Sequence, residues 1–214
     1  MLNRRSVLIA AAGVLAASST AAAPIALPSD MSLGSPDAKI EILEYASLSC
    51  PHCAHFNETI FPALKSKYID TGKVRYTLKE MLTEPMQVAA AGFMMARCSG
   101  AQKYFTVVDQ VFRSQSRWTQ GNIKPIFLEI GIANGLDEAK FTACITDQTG
   151  FDAINERANR AAEQDGVTST PTLFINGKRI ETPTNPAELD EAIAAASKSL
   201  AISNKTPATK RKGH

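Results

Sequence analysis

The 214-residue sequence predicts an α/β fold whose sheet is interrupted by a helical insertion. Three observations carry this. KIEILEYAS (Lys39 to Ser47) and the alternating Val74, Tyr76 and Leu78 read as strands on either side of a helix. Residues 83–166 read as one helix after another, parted by glycines. Strand character then returns at TLFI (Thr172 to Ile175), followed by the tight-turn pair Asn176-Gly177.

The order of elements follows from local chemistry. Residues 1–23 carry Arg4 and Arg5, an apolar run from Val7 to Ala17 and the small residues STAAA, the pattern of a cleavable export signal. The apolar run is too short to span a bilayer comfortably, and the paired arginines leave Sec or twin-arginine export open. Residues 24–38, rich in Pro, Ser and Asp, read as a linker. After the first strand a helix begins at Cys50, with Pro51 just inside, where the missing amide has no helical partner to lose. Pro62 predicts a kink or break, and Gly72 ends the helix. Parallel pairing of the two strands through this helix makes a βαβ unit. The insertion divides into helices over Thr83–Cys98, with Thr83 as cap, then Gln102–Ser114, Lys124–Ala133, Asp137–Thr146 and Phe151–Gln164. Lys178 to Ile180 is the return strand, and an amphipathic helix, Pro186 to Leu200, closes the fold. The core is thus 39–81 with 167–200, the insertion 82–166, and 201–214 a basic tail.

Composition excludes some functions. With 44% apolar and 21% charged residues the chain is neither disordered nor a bundle of membrane spans. The net charge of +2 sits at the ends; without Arg4, Arg5, Lys205, Lys210, Arg211 and Lys212 the body is at −4. A mildly acidic body argues against a nucleic-acid partner.

The chemistry concentrates in SCPHCAHF (Ser49 to Phe56). A thiolate, not a thiol, attacks a disulfide, and a helix N-terminus with its free N–H groups favours a negative sulfur at Cys50. His52, when protonated, adds to this. Cys53, one turn on, can attack a mixed disulfide on Cys50 and release the partner. Other readings of the same residues stand beside this one. A c-type haem site needs His directly after the second Cys, and Ala54 is there. Zinc or copper held by Cys50, Cys53 and His55, with or without His52, is chemically feasible, though no second cluster accompanies it. A purely structural Cys50–Cys53 disulfide closes too small a ring to stabilise much.

With CPHC after a strand and GVTSTPTLFINGK (Gly166 to Lys178) before a hairpin, the chain resembles the thioredoxin superfamily. It is similar to the DsbA branch of periplasmic thiol-disulfide oxidoreductases over Ala38 to Leu200. The resemblance implies a thioredoxin-like fold, a redox-active Cys50–Cys53 pair, and a cis Pro171 opposite it with Thr170 before it. Glu44, inside an apolar strand, matches the family's buried acid and implies proton exchange with Cys53. Asn57 departs from the acidic residue we associate with that position. In the superfamily, pKa values of the attacking cysteine span about 7 to about 3.5, enough for on the order of 100 mV of the roughly 150 mV between reductants and strong oxidants. Cys98 and Cys144, both in the insertion, are expected to pair as in some DsbA-like proteins, which the chain-entropy argument values at about 4 kcal/mol; two free buried thiols are the alternative.

The resemblance further implies a monomer in the periplasm that oxidises unfolded exported proteins, needs no cofactor or metal, and is reoxidised by a quinone-linked membrane partner of the DsbB type. A disulfide isomerase or reductase of the same fold is the alternative, for which Thr170 speaks, and a metal-handling carrier is a more distant one. Phe56, Met81 and Met86 are candidates for apolar surface near the substrate groove, or for core.

Overall fold

The computed structural model describes residues 23–203. Most of the export segment at 1–23 and of the tail at 201–214 therefore lies outside the described residues. The chain forms β1 (Met31–Leu33), β2 (Ile40–Ala46), α1 (Pro51–Thr59), α2 (Phe61–Leu64), β3 (Val74–Glu80), α3 (Met86–Cys98), α4 (Tyr104–Ser114), α5 (Ile123–Ala133), α6 (Glu138–Ile145), α7 (Gln148–Glu163), β4 (Thr172–Ile175), β5 (Lys178–Ile180) and α8 (Pro186–Ser203). Among the described residues, no helix is long and apolar enough to cross a membrane.

One five-stranded sheet runs in the order β1-β3-β2-β4-β5. β2 and β3 are parallel, with Glu44 opposite Leu78; the remaining pairs are antiparallel. Period two sorts the side chains of β2 onto two faces. Ile40, Ile42 and Ala46 join the large core with Cys50, Cys53 and Phe56, whereas Leu43 and Tyr45 join a smaller one with Met81, Val167 and Phe174. Phe56 and Met81 are thus core residues, and Met86 is half-buried.

The helix after β2 breaks near Pro62: α1 ends at Thr59, and α2 gives way to a wide turn over Lys65–Ile69. Five helices, α3 to α7, intervene between β3 and β4. They are tied internally by a disulfide between Cys98 and Cys144, whose Cα atoms are 6.4 Å apart. One tie to the sheet is Glu80, at the end of β3 and 3% exposed. It receives Arg97 Nε at 2.7 Å, Arg157 Nη2 at 2.7 Å and the Tyr104 hydroxyl at 2.9 Å.

Four expectations need correction. Residues 24–38 are not all linker: Met31–Leu33 adds an edge strand to β3. Three residues are too few for a period to register in sequence, and the segment is held by Asp30, whose carboxylate meets Lys79 Nζ at 2.7 Å in a buried pair. Thr83 does not cap α3. The helix starts at Met86 because Pro85 disfavours helical geometry at Glu84, and the Glu84–Pro85 bond is cis. α7 runs through Gly150 and begins at Gln148, because the Asp147 carboxylate accepts the amides of Thr149 and Gly150. Finally, α8 continues to Ser203, into the residues assigned to the tail.

Candidate active site

Cys50 is the N-cap of α1, in extended geometry with φ −81° and ψ 122°. Its amide donates to the Ser47 carbonyl at 3.0 Å, and its carbonyl accepts the Ala54 amide at 3.1 Å, the first bond of the helix. Pro51 occupies the first helical turn. The Cys50 sulfur therefore faces the positive end of the helix, while Cys53, one turn inward, is fully buried. Both are free thiols.

The two sulfurs are driven apart electrostatically. Cys50 is held down to about 5, first by the hydrogen bond from the Cys53 thiol, against the opposing cost of burial, and further by the Thr170 side chain and the N–H groups of Cys53 and His52. Cys53 is pushed far above the ordinary thiol range, first by burial, then by the hydrogen bond it gives to Cys50 and the charges of Glu44 and Cys50; the Ser47 amide opposes this. Glu44 is 3% exposed and shares the sheet face of the cysteines. Burial raises it to about 7, opposed by a hydrogen bond from Tyr76 and assisted by the Cys50 charge. The Tyr76 hydroxyl donates to Glu44 Oε2 at 2.6 Å.

From across the sheet comes the Thr170–Pro171 turn. Its peptide bond is cis, and the Thr170 carbonyl oxygen lies 3.4 Å from Cys50 Sγ. Cys50, Cys53, Glu44, Thr170 and Pro171 thus come from three parts of the chain, β2, the start of α1 and the turn before β4, to one end of the sheet. His52 contributes its main-chain amide to the Cys50 sulfur, while its side chain is exposed. His55 is exposed as well. Among the described residues no group of three or more His, Cys, Asp and Glu is arranged to hold a metal ion. Asn57 turns away from Cys50: its amide donates to Asp109 at 2.8 Å, pinning α1 to α4.

Several residues at the site carried no sequence signal for a role there, Thr83 reading only as a helix cap. Thr83 Oγ1 bonds Ser47 Oγ and Ser49 Oγ, each at 2.9 Å, so three hydroxyls clasp the loop before Cys50 to the loop before α3. Gln115, just past α4, donates from Nε2 to the carbonyls of Leu48 at 2.8 Å and Cys50 at 3.2 Å. The insertion therefore holds the main chain at the attacking cysteine. α3 approaches this loop at Gly92, where a Cβ would stand 2.8 Å from Leu48 Cδ1. Tyr76 was legible only as a strand residue.

Comparison with known proteins places this geometry among relatives. A protein-family model described as Thioredoxin matches residues 26–195. A Rickettsia bellii protein, provisionally named a protein-disulfide oxidoreductase, is 33% identical over 154 residues, covering 71% of this chain and 59% of its own length. The chain thus spans little more than half the length of such curated relatives. Disulfide bond formation protein D of Bacillus subtilis is 24% identical over 171 residues, covering 75% of this chain and 74% of its own. Among solved structures, Wolbachia pipientis alpha-DsbA1 superposes with a TM-score of 0.76 at 28% identity, covering 85% of this chain and 97% of that one.

Proposed function

Since the chain belongs to the thioredoxin family, we propose that it is a thiol:disulfide oxidoreductase that introduces disulfide bonds into exported proteins through Cys50 and Cys53. The observation that carries this reading is the unequal placement of the two sulfurs: Cys50 caps the N-terminus of α1, 3.4 Å from the Thr170 carbonyl beside cis Pro171, whereas Cys53 is fully buried one turn inward. This placement holds Cys50 down to about 5 and Cys53 well above the ordinary thiol range. Stabilising one thiolate stabilises the dithiol and makes the disulfide a stronger oxidant. The relatives named above for disulfide formation and the DsbA neighbour support the same reading.

A substrate thiolate attacks the Cys50 sulfur of the oxidised pair. The Cys50–Cys53 bond breaks, and Cys53 leaves as a thiolate that takes a proton from Glu44. A second substrate thiolate then attacks the substrate sulfur of the mixed disulfide, and Cys50 leaves as its stable thiolate. The substrate has lost two electrons and the enzyme has gained them. Thr170 and Pro171 line the approach to Cys50, where free main-chain groups can pair with an extended substrate segment. The reading places the protein in the periplasm as a monomer, exported by its N-terminal segment and reoxidised by a DsbB-type membrane partner.

Equilibration of the pair against glutathione tests the proposal. A potential near about −120 mV agrees with a dithiol oxidase, and one near about −270 mV replaces it with a reductase. Metal assayed in the same sample, with thiols that react only after chelation, points to the carrier instead. Cys50→Ser must abolish oxidation of a reduced test peptide.

A further inference from the structure

Glu44 and Tyr76 form a buried pair beneath the two sulfurs. Both are 3% exposed, on the parallel strands β2 and β3, and the hydroxyl stands 2.6 Å from Oε2. We propose that Tyr76 is the positioning residue for proton exchange at Cys53, fixing one oxygen of Glu44 so that the other serves the buried sulfur. This rests on the redox reading of Cys50 and Cys53 given above.

Glu44 projects from β2 into the core that contains both cysteines. α1 presents Cys50 and Cys53 to it, β3 presents Tyr76, and β4 presents the apolar Leu173 opposite it in register. Behind Tyr76 lies Tyr104 of α4, engaged with Glu80, which Arg97 and Arg157 occupy. Those cations are engaged by Glu80, and among the described residues Tyr76 is the hydrogen-bond partner that holds the Glu44 carboxylate. Tyr76 is itself no proton carrier, because burial and the neighbouring Glu44 charge hold the phenol well above its ordinary value. It remains a fixed donor. Its ring is locked by edge-to-face contacts with Phe61 at 5.0 Å and Phe105 at 5.9 Å.

With a mixed disulfide on Cys50, the Cys53 thiol gives its proton to Glu44, and the thiolate attacks the Cys50 sulfur. The Cys50–Cys53 bond forms, and the partner leaves as a thiolate. A donor that favours ionised Glu44 keeps this acceptor available at lower pH.

Reduced protein mixed with oxidised glutathione, then quenched at intervals across a pH series, separates formation of the Cys50 adduct from its decay by Cys53. The parent decay should rise as Glu44 ionises, with a midpoint at or below about pH 7, because the Cys50 charge that helps raise Glu44 in the reduced protein is absent from the adduct. Tyr76→Phe keeps the ring contacts and should move that midpoint up by about one pH unit, the size of one charge-assisted hydrogen bond. Glu44→Gln should remove the inflection, and the double variant should match Glu44→Gln alone. A Tyr76→Phe profile that superposes on the parent's overturns the assignment. So does a shift that persists in the Glu44→Gln background, which would be a packing effect. If the parent forms no adduct at Cys50, the redox reading fails, and the role of Tyr76 with it.

Discussion

Glu44 and Glu80 stand on the neighbouring parallel strands β2 and β3, each 3% exposed and each accepting a hydrogen bond from a tyrosine, Tyr76 at 2.6 Å and Tyr104 at 2.9 Å. Their remaining neighbours differ. Glu80 faces two guanidinium groups and joins the sheet to α3 and α7. Glu44 faces two sulfurs, and burial without a cation lifts it to about 7. A buried carboxylate with paired cations is a fastener; one without them is poised to exchange a proton near neutral pH. The same residue type, at the same depth in the same sheet, is thus turned to structure or to chemistry by what is packed around it.

This contrast can be broken at either end. The largest effect is expected from Glu80→Ala, which leaves Arg97 and Arg157 partly buried without an anion and should cost about 3–5 kcal/mol in denaturant unfolding. The Cys50 titration should stay where it is. Glu44→Gln should act in the opposite direction. With a folded value of about 7 against 4.5 for the free group, the parent is penalised as pH rises through that window. The reduced variant should therefore be more stable by up to about 3 kcal/mol above pH 7, with the gain vanishing below about 4.5. Unfolding curves across pH measure it. Tyr104→Phe should cost only about 1–2 kcal/mol, because the arginines still satisfy Glu80, and should leave adduct decay at Cys50 unchanged, unlike Tyr76→Phe. The smallest effect belongs to Gln115→Ala, at about 1 kcal/mol, with faster hydrogen exchange at the amides that follow Cys50.

What could be read in sequence was what neighbours in sequence determine. The Cys50–Cys53 spacing lies within one helical turn, and Pro51 marks the start of that helix. Asn176-Gly177 dictates a hairpin, with Asn176 at φ 48° and Gly177 at φ 75°. An acid amid the apolar residues of β2 marked Glu44 as unusual. Contacts made across the fold left no such trace. Tyr76 is an ordinary strand residue until β3 pairs in parallel with β2. Gln115 is an ordinary polar residue, and Thr83 a mere candidate cap, until α4 and the loop before α3 close on the turn before Cys50. The edge strand Met31–Leu33 was hidden because its order comes from β3 and the Asp30–Lys79 pair rather than from its own pattern.

The central claim is that one sulfur of the pair is an acid and the other is not. Thiolate absorbance of the reduced protein, followed from pH 3 to pH 10, tests it directly, with Cys50→Ser as the control. We predict one thiol ionising near 5, lost in Cys50→Ser, and a second that stays protonated through the range. Two thiols ionising together near the ordinary value of about 8.5 would contradict the account.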